Sequence, residues 1–150
     1  MFRKILVAVD ASDYSRQVVP AAIEVAHKFH SNVVVLHVSE HDREAGATTI
    51  VGRAVMEFHA AGIEATGEMH EVATGHVARD IADTAMALDS DLIVMGSRGL
   101  SDVQGILLGS VTHKVMHLTH TAVLVIRGPL PVKEAATKPT LIRVALVPTV

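Results

Sequence analysis

The chain has 150 residues, enough for one ordinary domain with a real core, and 49% of them are apolar. With 13 basic and 16 acidic residues the net charge is only −3, which argues against an electrostatic grip on DNA, RNA or anionic lipid. Cysteine is absent, which excludes disulfides, thiolate metal sites and a cysteine nucleophile.

No stretch approaches the roughly 20 uninterrupted apolar residues of a membrane-spanning helix. The opening MFRKILVAVD shows no charged, apolar and cleavable sequence of regions as in a secretory signal, so a cytoplasmic protein is expected. With three Phe, one Tyr and no Trp, base-stacking platforms for single-stranded nucleic acid are not expected.

Residues 5–9 form a short run rich in β-branched side chains, bounded by Asp10-Ala11-Ser12-Asp13. Ser12 or Asp13 can cap the segment that follows, where Val18, Ala22, Val25, Ala26 and Phe29 recur at helical spacing. Residues 33–38 read as a second buried strand. Residues 43–61 read as a helix with Ile50, Ala54, Val55 and Phe58 inward and Gly62 as its stop. Residues 64–72 alternate imperfectly and predict a third, less buried strand near an edge. Thr74 or Gly75 opens a third helix, with Val77, Ile81, Ala85 and Leu88 on one face. Residues 92–95 are a wholly apolar fourth strand. A glycine-bearing loop, a helix over residues 110–118 and a fifth strand over residues 122–126 complete the series.

Apolar strands alternating with helices imply a parallel sheet covered on both faces. The domain is expected to span 1–128. Gly128, Pro129 and Pro131 end it, residues 133–140 read as a linker, and residues 141–147 are again strand-like. This extension, 129–150, adds an edge strand here, adds one in a partner subunit, or is a tail foreign to the domain.

In a parallel α/β sheet, ligands settle at the carboxyl ends of the strands where the winding reverses. Asp10 ends the first strand, and GSRGLSDVQGILLGS at 96–110 follows the fourth. Gly96 and Gly99 let backbone approach a phosphate without Cβ interference. Gly109-Ser110 opens a helix whose free N–H groups and positive dipole end suit an anion. The Ser110 hydroxyl can cap that helix or donate to a phosphate oxygen. Neither a Walker A loop nor G-x-G-x-x-G is present, and a flexible loop with turn glycines is the plain alternative.

The spacing Gly96-x2-Gly99-x9-Gly109-Ser110 resembles the ATP-binding signature of the universal stress protein family. KILVAVDASDYS at 4–15 is similar to that family's opening strand and turn, with Ala11 where glycine is usual. DLIVMGSRG at 91–99, LLGSVTHKV at 107–115 and AVLVIR at 122–127 extend the resemblance over residues 2–127. It implies a doubly wound five-stranded parallel sheet, order 3-2-1-4-5, with helices on both faces. It also implies ATP as the ligand, with any Mg2+ held through the phosphates, and a nucleotide-dependent stress-response regulatory protein acting through an unknown partner.

Roles follow from the resemblance residue by residue. Asp10 faces the adenosine through adenine or ribose, Ala8 and Val9 line the base pocket, and Val38 offers backbone groups to the base edge; Met95 is also counted among the nucleotide-binding residues. Gly96 and Gly99 run along the ribose and α-phosphate, with Ser97 and Arg98 between them. Gly109, Ser110 and the Val111 N–H hold the outer phosphates. Asp10 can instead only cap its own turn, and Ser12 divides between cap and phosphate ligand. The resemblance also implies a homodimer through the last strand, 122–126, whose apolar edge would invite pairing if left uncovered.

The alternatives are a slow ATPase or phosphotransferase of the same fold and an interaction module that binds no nucleotide. No catalytic residue is assigned; Asp102 lies in the right loop for phosphoryl transfer. His113, His117 and His120 share one face if their helix continues through residue 120, a spacing that could hold Zn2+. No matching carboxylate accompanies them, so a solvated or subunit-facing stripe is expected and no metal is assigned.

Overall fold

Period-two alternation in the strands sorts the apolar side chains into two cores. In the computed structural model, which describes residues 1–12, 15–40, 46–97, 108–127 and 145–147, β1 is Lys4–Ala8, β2 Asn32–Ser39, β3 Ala65–Glu71, β4 Leu92–Gly96 and β5 Ala122–Ile126. The helices between them are α1 (Ser15–Phe29), α2 (Ala47–Ala60), α3 (Val77–Ala87) and α4 (Ser110–Leu118). Ile5, Val7, Val33, Val35, Leu92, Val94, Leu124 and Ile126 pack with α1 and α2 on one face. Leu6, Leu36, Ile93, Met95, Val123 and Val125 pack with α3 and α4 on the other. Both faces are therefore covered, and β1 and β4 read as unbroken apolar runs for that reason.

The strand order is β3-β2-β1-β4-β5-β6, where β6 is Ala145–Val147. The first five strands are parallel in the expected order 3-2-1-4-5. β3 lies at the outer edge, as its imperfect alternation suggests, with only Ala65 buried. The sixth strand decides what the sequence left open: β6 pairs antiparallel with β5, Val123 opposite Val147 and Val125 opposite Ala145. The edge on which a homodimer was expected is thus covered by the same chain, and the argument from an open edge no longer applies.

Local chemistry sets the element ends. α2 stops at Gly62, whose φ of +75° lies in the left-handed region that glycine enters without Cβ strain. Phe58 is fully buried one turn earlier, worth about 1.5–3 kcal/mol of transfer free energy. At the amino ends of the strands, the Asp91 carboxylate accepts from the Arg3 and Lys4 N–H groups at 2.8 and 2.9 Å. Asp91 N–H donates to the Lys4 carbonyl at 2.8 Å, so β1 and β4 enter the sheet locked side by side. α4 ends at Leu118 because Thr119 turns extended (φ −101°, ψ 149°), which takes His120 off the helix. Among the described residues no helix is long and apolar enough to cross a membrane.

Candidate functional site

β1 is the strand at which the sheet reverses its winding, with β2 on one side and β4 on the other. Its pairing with β4 runs Ile5↔Leu92 to Val7↔Val94, so the end of β1 at Ala8 lies beside the end of β4, which continues against β5 to Gly96. A crevice at this edge is where α/β sheets of this kind take ligands.

On the β1 side, a hydrogen-bonded turn is built around Asp10. Oδ1 accepts from the Ser12 N–H at 2.8 Å, from the Ser12 hydroxyl, and from the Ser15 hydroxyl at 2.8 Å. The Asp10 N–H contacts Ser15 Oγ at 2.7 Å. Asp10 therefore holds its own turn, and Ser15, the first residue of α1, is bonded to it from both sides. Among the described residues these donors all go to Oδ1 and none to Oδ2. Among the described residues, one carboxylate oxygen holds the turn. Asp13 lies outside the described residues.

On the β4 side, one bond ties the strand end to β5 and two seat the start of α4 on it. Ser97 N–H donates to the Ile126 carbonyl at 2.8 Å, Gly109 N–H donates to the Ser97 carbonyl at 2.6 Å, and Thr112 Oγ1 donates to the Gly96 carbonyl at 2.8 Å. Ser97 and Thr112 are both buried. Gly109 caps α4 and supplies no side-chain bond to it, while Ser110 stands exposed at the first helical position. Ser110, Val111 and Thr112 precede the first intrahelical donor, His113 N–H to Gly109 O at 3.0 Å. Their N–H groups form the positive end of the helix. Gly109 has φ −66° and ψ 157°, extended backbone open to any residue. Its backbone conformation needs no glycine.

Of the residues assigned to the nucleotide, Ala8, Val38, Met95 and Val111 share the core on the α3–α4 side, together with Leu108. Val9 departs from the group. Its side chain is buried in the opposite core, against α1 and α2, so only its main chain lies at the edge. Arg98, Gly99 and Asp102 lie outside the described residues.

The sequence reading overlooked His37, which is 1% exposed and whose Nδ1 meets the Val9 carbonyl at 2.8 Å. In the run NVVVLHVS it passes for an ordinary core residue. The signal was a single polar ring interrupting an apolar strand at its carboxyl end.

Elsewhere, His113 and His117 face each other across one turn of α4, Nε2 to Nε2 3.3 Å, both exposed. His120 does not join them. Among the described residues no group of three or more His, Cys, Asp or Glu is placed to hold a metal ion. An open pocket of about 220 Å³ lies at the opposite, amino-terminal edge, between His30, Asn32, Gly62 and Glu64.

A doubly wound parallel sheet of order 3-2-1-4-5 with helices on both faces defines an α/β domain. Residues 1–127 match the family model described as the Universal stress protein family, and the chain belongs to that family. It is 34% identical over 151 residues to the universal stress protein YxiE of Bacillus subtilis (strain 168), covering 85% of this chain and all of the relative. A solved universal stress protein in complex with cAMP superposes with TM-score 0.66 at 28% identity, covering 84% of this chain and 97% of that one. The universal stress protein from Archaeoglobus fulgidus in complex with dAMP gives 0.62 at 29%, covering 83% and 98%.

Proposed function

We propose that this protein binds ATP at the β1–β4 switch point and acts as a nucleotide-dependent regulatory domain of the stress response. The observation that carries the reading is the seating of α4. Thr112 Oγ1 on the Gly96 carbonyl and Gly109 N–H on the Ser97 carbonyl hold three helix-start N–H groups beside the strand end that Asp10 shares. That arrangement offers an anion backbone donors whose positions the sheet fixes. Asp10 Oδ2 accepts from a ribose hydroxyl or the adenine amino group, and Ala8, Met95 and Val38 enclose the base. Ser110 and the Val111 N–H take the outer phosphates, and the phosphates themselves hold any Mg2+. The complexes of two relatives with cAMP and dAMP lend support, because both ligands contain adenine, ribose or deoxyribose, and a phosphate.

The test is calorimetric titration of the protein with ATP, ADP, AMP and adenosine. One site per chain is expected, with ATP tighter than adenosine, because only the phosphates reach the start of α4. Absence of binding by every one of these at millimolar concentration contradicts the proposal.

A further inference from the structure

β1 and β2 pair in register through Ala8 and Leu36, and one step further the Val9 N–H still donates to the Leu36 carbonyl at 2.9 Å. In a parallel ladder the next bond would run from the Val38 N–H to the Val9 carbonyl. That carbonyl meets His37 Nδ1 instead, at 2.8 Å. A carbonyl only accepts, so Nδ1 carries the proton. Among the described residues, no bond joins the Val38 N–H to Val9.

The consequence follows from strand parity. Leu36 directs its carbonyl toward β1, and Val38, two residues on, directs its N–H and C=O the same way. β1 has ended by then, so those two groups point past it into the crevice. A neighbouring donor and acceptor on one residue match the adjoining acceptor and donor on an adenine edge.

We infer that His37 is a positioning residue for the adenosine half of the site: its imidazole takes the carbonyl that Val38 would otherwise hold. The β1–β2 ladder then stops one residue early, the Val9–Asp10 peptide is fixed, and the Val38 main chain is left for the base. This inference rests on the proposed nucleotide binding.

Two variants separate a hydrogen-bonding role from mere filling of space. His37→Asn places an amide N–H as many bonds from Cβ as Nδ1, whereas His37→Phe keeps the ring and removes the donor. With folding checked by circular dichroism, His37→Phe should lose about tenfold in affinity for adenosine and ATP alike, the loss that accompanies an unmade bond to a buried group. His37→Asn should restore most of it. Equal adenosine affinity in the wild type and His37→Phe overturns the inference. A second readout needs no ligand. In labelled ligand-free protein, Nδ1 of His37 should be protonated, and the Asp10 amide, which follows the Val9 carbonyl, should shift in His37→Phe but little in His37→Asn. An unprotonated Nδ1, or an Asp10 amide indifferent to His37→Phe, overturns the inference even if nucleotide binds. A wild type that shows the protonated Nδ1 but binds no adenine nucleotide defeats the proposed function and, with it, the assignment to adenosine.

Discussion

The Thr112 hydroxyl donates to the Gly96 carbonyl at 2.8 Å, joining the first turn of α4 to the last residue of β4. Both partners lie within the proposed site, and Thr112 is only 3% exposed. Thr112→Val keeps the shape and removes the donor. It should cost about 1–2 kcal/mol in urea denaturation, the penalty of a buried acceptor left unmatched. ATP affinity should fall more than adenosine affinity, since the phosphate end sits on α4. Thr112→Ser should recover both.

Asp10 invites a cleaner dissection than alanine allows. Asp10→Asn keeps an Oδ1 that accepts from Ser12 and Ser15, so the turn should stay within about 0.5–1 kcal/mol of wild-type stability. Oδ2 becomes an NH2 group, which cannot accept from a ribose hydroxyl or an adenine amino group. Adenosine affinity should therefore drop about tenfold or more while the melting temperature barely moves. If stability falls and affinity holds, Asp10 is a cap and nothing else.

Gly67 on the edge strand β3 has no room for a side chain. A Cβ there would lie 2.4 Å from Val51 Cγ1 and 3.3 Å from Val55 Cγ2, both on α2. Gly67→Ala should destabilise by about 1–3 kcal/mol through overpacking. Adding Val51→Ala should recover part of that loss, and a thermal-melt double-mutant cycle measures the coupling.

How much of this was legible beforehand varies by residue, for physical reasons. α4 and β5 keep the bounds read from the sequence because Gly109 and the run AVLVI are unambiguous boundary and strand signals. Asp10, Gly96 and Ser110 follow from strand ends and glycine placement, with the resemblance supplying their roles. Val9 was assigned to the base pocket with Ala8, yet neighbours along a strand face opposite ways, and its side chain went to the other core. His120 stays off the histidine stripe because α4 ends at Leu118, the bound already read from the sequence, and Thr119 turns extended. β6 was undecidable because three paired residues carry almost no pattern of their own, and only β5 determines where they add.

Covering β5 with β6 has a measurable consequence. Removing residues 128–150 would strip the antiparallel partner from Val123–Val125 and leave an apolar strand edge open. The shortened chain should associate more strongly than the full chain in sedimentation at matched concentration. Indistinguishable sedimentation of the two would mean that β6 does not guard that edge.

The central claim, adenine nucleotide held between the Asp10 turn and the start of α4, is tested most directly by amide chemical-shift mapping with ATP and with adenosine. Saturable ATP-induced shifts are predicted at Asp10, Val38, Ser110, Val111 and Thr112, with adenosine moving Asp10 and Val38 but leaving the α4 amides nearly still. ATP shifts that spare Ser110 to Thr112, or that gather at His30, Gly62 and Glu64 on the opposite edge of the sheet, would contradict it.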